Sequence, residues 1–187
     1  MMVNKKVAIL VGGSDLFSGF RGISKGTRVI KESIKSHFDH VFALNYNYFL
    51  DFGRSLKYID KFLTQNEPMD YLTLYGYSKG GDIALQISRL FKRKRVVDLL
   101  VTIDVANGPW SGKIDRSVPG NVMKNINVFQ TVPNFPLRSH GMAAYSTVNV
   151  EIENINITNQ IINGTKVNHS NIEFLMVPKV IEWIIPK

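Results

Sequence analysis

Short apolar runs alternate along this chain with stretches that are apolar at every third or fourth position. Runs of strand length fall at 7–11, 41–44, 71–75, 99–103, 127–130 and 148–152. Several are nearly continuous, as in Val7-Ala8-Ile9-Leu10-Val11 and Leu99-Leu100-Val101-Thr102-Ile103. A strand with one wet face alternates apolar and polar residues, whereas a parallel strand covered on both faces does not. Between the runs, Ile30, Ile34 and Phe38 recur at helical spacing. Phe52, Leu56, Ile59 and Leu63 form a second stripe, and Ile83, Ile87, Leu90 and Phe91 a third. Each stripe would bury one helix face on a sheet. The order predicts an α/β fold, a three-layer α/β/α sandwich with a mainly parallel sheet of about six strands and right-handed crossovers. Towards the C-terminus, Pro178 predicts a short helix that it opens at the first position. Val180, Ile181 and Ile184 would pack back on the sheet, with Trp183 at the margin.

Two stretches, 105–121 and 132–147, lack strong periodicity and are rich in Gly, Pro, Ser and Asn. Both follow candidate strands. Ligands of open α/β sheets bind beyond the carboxyl ends of the strands, so these stretches are the candidate substrate loops. Trp110, Phe135 and Tyr145 lie in them, as does His140. They are candidates for substrate contact or for packing within the loops.

Composition narrows the classes. The chain has 187 residues, which predicts a single domain spanning 1–187, with no room for a second full domain or a large lid. It has no cysteine, which excludes disulfides, thiolate metal sites and cysteine catalysis. The N-terminal charge and the apolar run after it mimic a secretory signal, but the run is five residues long and a Gly-Gly pair follows. A signal needs roughly 7–15 apolar residues. No stretch approaches the ~20 apolar residues of a membrane span. The expectation is a cytoplasmic protein, with export by a signal-free route left open. The formal net charge is +8. Its densest source, Lys92-Arg93-Lys94-Arg95, follows a helical stripe and reads as a solvated helix end, where cations suit the dipole. The alternative reading of that run is a surface for peripheral contact with an anionic membrane, and no nucleic-acid partner is expected. Glycines 12, 13 and 19 do not make the G-x-G-x-x-G fingerprint, and no Walker A lysine pattern occurs. No metal-ligand motif such as H-E-x-x-H occurs. Neither a cofactor nor a metal is expected.

The most informative segment is Leu74-Tyr75-Gly76-Tyr77-Ser78-Lys79-Gly80-Gly81-Asp82-Ile83-Ala84. It contains G-x-S-x-G, a pattern that is weak in isolation. Here an apolar strand leads in and a striped helix leads out, the context a nucleophile elbow requires. Such a turn lifts the Ser78 hydroxyl above the sheet. It also places the Lys79 backbone N–H at a helix N-terminus, aimed at a developing oxyanion. The plain alternative is an ordinary Gly-rich strand–helix turn. Tyr77, beside the serine, is a further candidate for substrate contact.

At this elbow the chain resembles the α/β-hydrolase superfamily, particularly its small lipases, cutinases and esterases without a cap domain. The resemblance covers most of the chain through its order of strands and loops, and is specific at the elbow. It implies a nucleophile, an acid and a base in the chain order Ser, Asp or Glu, His. In the superfamily the base follows the last strand. His169 matches that place, in Val167-Asn168-His169-Ser170, while His140 precedes it and is the alternative. His37 and His40 come before the serine and read as surface groups. The acid should lie between Ser78 and His169. Asp104 ends the buried run 99–103 and stands where it can accept a hydrogen bond from an imidazole. Asp115 is the alternative, and Asp82, Asp98, Glu151 and Glu153 are less well placed. Many members carry the acid one strand later, near 127–131, where this chain has no carboxylate. A subset of lipases uses the earlier strand, and Asp104 looks like that variant. Similar proteins often have proline after this aspartate, and here Val105 follows. The resemblance also implies a second oxyanion donor after the first strand, at the Gly13 or Ser14 backbone N–H.

The expected function is that of a serine hydrolase acting on a carboxylic ester, with a small-molecule or lipid ester as substrate. A thioesterase or an acyltransferase would use the same groups. A non-catalytic binding protein with a hydrolase fold is the rival of another class.

Overall fold

The computed structural model describes residues 5–13, 23–45, 49–133, 135 and 138–186, with the side chains at 49–52 left undescribed. Ser14 and the side chain of Phe52 lie outside the described residues.

Among the described residues, six strands form one sheet: β1 (Lys6–Gly12), β2 (His40–Asn45), β3 (Tyr71–Tyr77), β4 (Val97–Ile103), β5 (Val122–Phe129) and β6 (Glu151–Asn156). Their order is β2-β1-β3-β4-β5-β6. Every neighbouring pair is parallel. Among the described residues, four α-helices cover the sheet: α1 (Lys25–Ile34), α2 (Phe49–Gln65), α3 (Lys79–Phe91) and α4 (Ile172–Ile184).

The continuous apolar strands follow from this layering. Alternate residues of a strand face opposite ways. Ala8 and Leu10 of β1 join Ile30 and Ile34 of α1 and Ile172, Val180 and Ile184 of α4 in one core. Val7, Ile9 and Val11 join Ile59 and Leu63 of α2 and Leu85, Ile87 and Phe91 of α3 in the other. Both faces are covered, so both sets must be apolar.

The sheet also fixes where a site can form. From β1 the chain steps to β2 on one side, then returns to β3 on the other side and continues outward to β6. Strand order therefore reverses between β1 and β3. The crevice of a doubly wound sheet opens at such a reversal, at the carboxyl ends of the strands.

Several details differ from the sequence pattern. β5 starts at Val122 rather than 127, because Lys124 and the buried Asn125 interrupt its apolar run. The Asn125 amide is accommodated by donating to the Leu100 carbonyl at 2.9 Å. β6 occupies 151–156 rather than 148–152. As an edge strand it carries exposed Glu151, Glu153 and Asn154, and Val148 is itself exposed. Phe38 is buried beyond the end of α1, while Leu90 falls off the buried arc of α3 and is exposed. Pro178 does not open the last helix. It lies inside α4, which starts six residues earlier at Ile172. An interior proline costs ~3 kcal/mol, and the burial of Ile172, Met176, Val177, Val180 and Ile184 along the whole helix outweighs it.

A two-stranded hairpin, β7 (Ile161–Ile162) and β8 (Thr165–Lys166), is not legible as strands from apolar runs. Its signal is the Asn163-Gly164 pair. Both residues have positive φ, 50° and 74°, as a two-residue hairpin turn demands. The basic run after α3 folds back onto α2, where Lys94 and Arg95 both reach Asp60 at 2.7 Å and Arg95 also reaches Glu67 at 3.2 Å. Among the described residues, no helix is long and apolar enough to cross a membrane.

Candidate active site

β3 ends at Tyr77 and α3 begins at Lys79, which leaves Ser78 alone in the turn between them. Ser78 has φ 54° and ψ −124°. A non-glycine residue at positive φ is strained and persists only where its surroundings enforce it. Here the Ser78 N–H donates to the Ile103 carbonyl at 2.9 Å, and the Ser78 carbonyl accepts the Gly81 N–H at 3.0 Å and the Ala106 N–H at 3.3 Å. The tightness of the turn explains its glycines. A Cβ at Gly76 would collide with the Gly80 carbonyl, and one at Gly80 with the carbonyls of Val11 and Gly12.

The Ser78 hydroxyl lies 2.9 Å from His169 Nε2. The other ring nitrogen, Nδ1, lies 2.8 Å from Asp104 Oδ2. The three side chains come from three separate stretches of chain, at relative exposures of 8%, 7% and 0% for Ser78, His169 and Asp104. An ionised Asp104 accepts only, so Nδ1 carries the ring proton and Nε2 is left to accept from the serine. That arrangement can move a proton from the hydroxyl to the ring and hold the resulting imidazolium.

Each partner is held by its own segment. Asp104 follows β4 with φ 44°, its N–H bonded to the Val128 carbonyl at 2.7 Å. His169 follows the β7–β8 hairpin in a turn tied by two asparagines. Asn168 Oδ1 accepts the N–H groups of Ser170 and Asn171 at 2.8 and 3.2 Å, and Asn171 Oδ1 accepts the Asn168 N–H at 2.8 Å. Tyr77 is buried rather than open to solvent. Its hydroxyl donates to the His169 carbonyl at 2.5 Å, and its ring stacks on the imidazole at 5.6 Å.

Of the expected oxyanion donors, Lys79 and Gly13 lie among the described residues, and both adjoin the elbow. As the first residue of α3, Lys79 has an N–H with no acceptor inside the helix. The Lys79 ammonium points elsewhere, into an ion pair with Asp82 at 2.7 Å. Gly13 packs directly on the elbow: a Cβ there would stand 2.6 Å from the Tyr77 ring and 3.1 Å from the Ser78 Cβ.

Trp110 and Phe135 are 59% and 85% exposed. The Tyr145 hydroxyl donates to Asp115 at 3.2 Å. His140 places Nδ1 3.2 Å from the Gly141 carbonyl. Asp115 pairs with Arg89 at 3.2 Å, whereas Asp104 is the carboxylate that meets the His169 ring. His40 opens β2 and packs on Phe62 at 4.5 Å. Among the described residues, no group of three or more His, Cys, Asp or Glu side chains could hold a metal ion.

Three buried polar residues around the site carry no sequence signal. Gln130 binds Asp104 through both its backbone and its side chain. Arg116 is buried beneath the loop after Asp104, where its guanidinium donates to the carbonyls of Val105, Ser111 and Ile114 at 2.9, 2.8 and 3.2 Å. Burial lowers its pKa, opposed by the charges of Asp104 and Asp82. Glu173, four residues beyond His169, reaches the start of α1. It accepts from the Ser24 and Thr27 hydroxyls at 2.7 Å, the Tyr75 hydroxyl at 3.1 Å and the N–H groups of Gly26 and Thr27 at 3.1 and 3.0 Å. Burial pushes its carboxyl pKa up against these donors. Loop and capping residues of this kind follow no period, so patterning does not find them.

No protein-family model and no curated protein matches the chain. Among solved structures, it is similar to one described as LipS and LipT, two metagenome-derived lipolytic enzymes. The TM-score is 0.54 at 11% identity, over 97% of this chain and 94% of that chain. It is also similar to Est1E from Butyrivibrio proteoclasticus, with TM-score 0.48 and 9% identity, over 97% of this chain and 87% of that one. The likeness to the first, together with the parallel six-stranded sheet and its flanking helices, defines an α/β-hydrolase-like fold in a minimal form.

Proposed function

We propose that this protein is a serine hydrolase that cleaves carboxylic esters through an acyl-enzyme. The observation that carries the reading is the unbroken line from Ser78 Oγ through His169 to Asp104, with steps of 2.9 and 2.8 Å. The similar solved structure described as a lipolytic enzyme supports an ester as the substrate, either a small molecule or a lipid.

In this reading His169 Nε2 takes the Ser78 proton as Oγ attacks the ester carbonyl. The backbone N–H groups of Lys79 and of Gly13 or Ser14 receive the oxyanion, each worth ~3 kcal/mol. The imidazolium then gives its proton to the departing alcohol. Water repeats the sequence on the acyl-enzyme and releases the acid. Asp104 stays ionised throughout and orients the ring. Trp110 and Phe135, exposed on the loops after β4 and β5, are the proposed apolar contacts for the substrate.

Treatment with a fluorophosphonate probe tests the reading. Wild-type protein becomes labelled, and Ser78→Ala and His169→Ala do not. A folded wild type that stays unlabelled overturns the reading in favour of a non-catalytic binding protein.

A further inference from the structure

Asp104 has no exposed surface, so every lone pair of its carboxylate must find a partner inside the protein. Two of its partners come from Gln130. The Gln130 backbone N–H donates to Oδ1 at 3.1 Å, and its side-chain Nε2 donates to Oδ2 at 3.0 Å. Oδ2 is the same oxygen that faces His169 Nδ1 at 2.8 Å. The orientation of the amide follows from its other end. Oε1 accepts the Val132 N–H at 2.8 Å, and a backbone N–H can only donate, so the group turned to Asp104 is the NH2. Gln130 is itself buried.

Gln130 follows β5, the strand next to β4, and its side chain converges with the imidazole on one carboxylate oxygen. A carboxylate at this position would be a second acceptor beside His169. An amide of the same shape is a donor. We propose that Gln130 is the positioning residue of the site. It clamps the Asp104 carboxylate at both oxygens, and it keeps the neighbouring strand end free of a rival acceptor for His169 Nδ1. This rests on the serine-hydrolase reading, in which the ring tautomer matters.

Gln130→Met and Gln130→Glu separate the two parts. Methionine keeps the length and removes the donor. Glutamate keeps the shape and turns the fixed donor into a second carboxyl group that must share a proton with Asp104. The first expected result is a fall in the rate of fluorophosphonate labelling of Gln130→Met by about ten- to a hundredfold, by analogy with the loss of groups that orient metal-ligating side chains. In Gln130→Glu the new carboxyl stands about 3 Å from the buried Asp104 carboxylate, so the two share one proton, and its loss gives the labelling-rate profile a pH-dependent step that the wild type lacks. A part that only filled space would lower thermal stability and leave the shape of the profile unchanged. A second readout does not depend on hydrolysis: the downfield proton resonance of His169 Nδ1–H, assigned by its loss in His169→Gln, shifts or broadens in Gln130→Met. The proposal is overturned if Gln130→Met keeps both the labelling rate and the resonance of the wild type. A wild type that has the resonance and does not label overturns the hydrolase reading instead. If Gln130→Glu fails to fold, the methionine variant alone decides.

Discussion

At the scale of single residues, the buried polar groups separate those that would act on a substrate from those that hold the scaffold. Asp104 and Glu173 are both buried carboxyl groups surrounded by donors. Asp104 touches the imidazole, whereas Glu173 joins α4 to the start of α1. Asp104→Asn is expected to lower labelling of Ser78 by about four orders of magnitude, because the amide favours the wrong ring tautomer; measured rates near those of wild type would refute this role. Glu173 should reveal itself in stability. Burial raises its pKa, so the folded chain holds this proton more tightly than the unfolded chain. The associated stability is fullest below the ordinary value of 4.5 and is lost as the pH rises through the folded value. Glu173→Gln removes that decline and strands the Gly26 N–H, at a cost of about 1–3 kcal/mol. Thermal melts across this pH range should therefore find the gap between wild type and variant widest in acid and narrower towards neutrality.

At the scale of elements, the same substitution has opposite signs in two helices. A Cβ at Gly80 meets backbone carbonyls of β1, which cannot swing aside as a side chain can. Gly80→Ala should cost about 1–3 kcal/mol by overpacking and slow labelling of Ser78. Gly53 is exposed in α2, and a methyl group added there would meet nothing within 4 Å, so Gly53→Ala should stabilise by about 0.5–1 kcal/mol. Denaturant melts of both variants test the pair. These two elements also bear on what the sequence discloses. α3 and its elbow are legible because Gly76, Ser78 and Gly80 stand between a continuous apolar strand and a helical stripe. The start of α4 is not, since Pro178 is a strong local signal for a helix opening and only the packing of Ile172 and Met176 reveals six further residues. The polar start of β5 and the charged edge of β6 are obscured for a similar reason: their pairing with neighbours, rather than their own apolarity, makes them strands.

At the scale of the whole molecule, the site is a product of topology. Ser78 follows β3, Asp104 follows β4 and Gln130 follows β5, so the parallel register brings three strand ends to one edge. His169 follows β6 and the hairpin along the chain. Ser78, Asp104 and His169 are legible as positions, because motif and strand ends point to them. Their supports are not, because Gln130, Arg116 and Glu173 act through contacts 26 to 149 residues away in sequence or through loop carbonyls that no period predicts. One further support, Tyr77, has a mechanical consequence. Tyr77 and Ser78 are adjacent on the chain, yet one grips the backbone of His169 and the other meets its ring. A drift of the end of β3 therefore acts on the serine hydroxyl directly and on the backbone of His169 through the Tyr77 tether. That shared linkage favours a constant spacing between serine and imidazole as the sheet breathes with temperature.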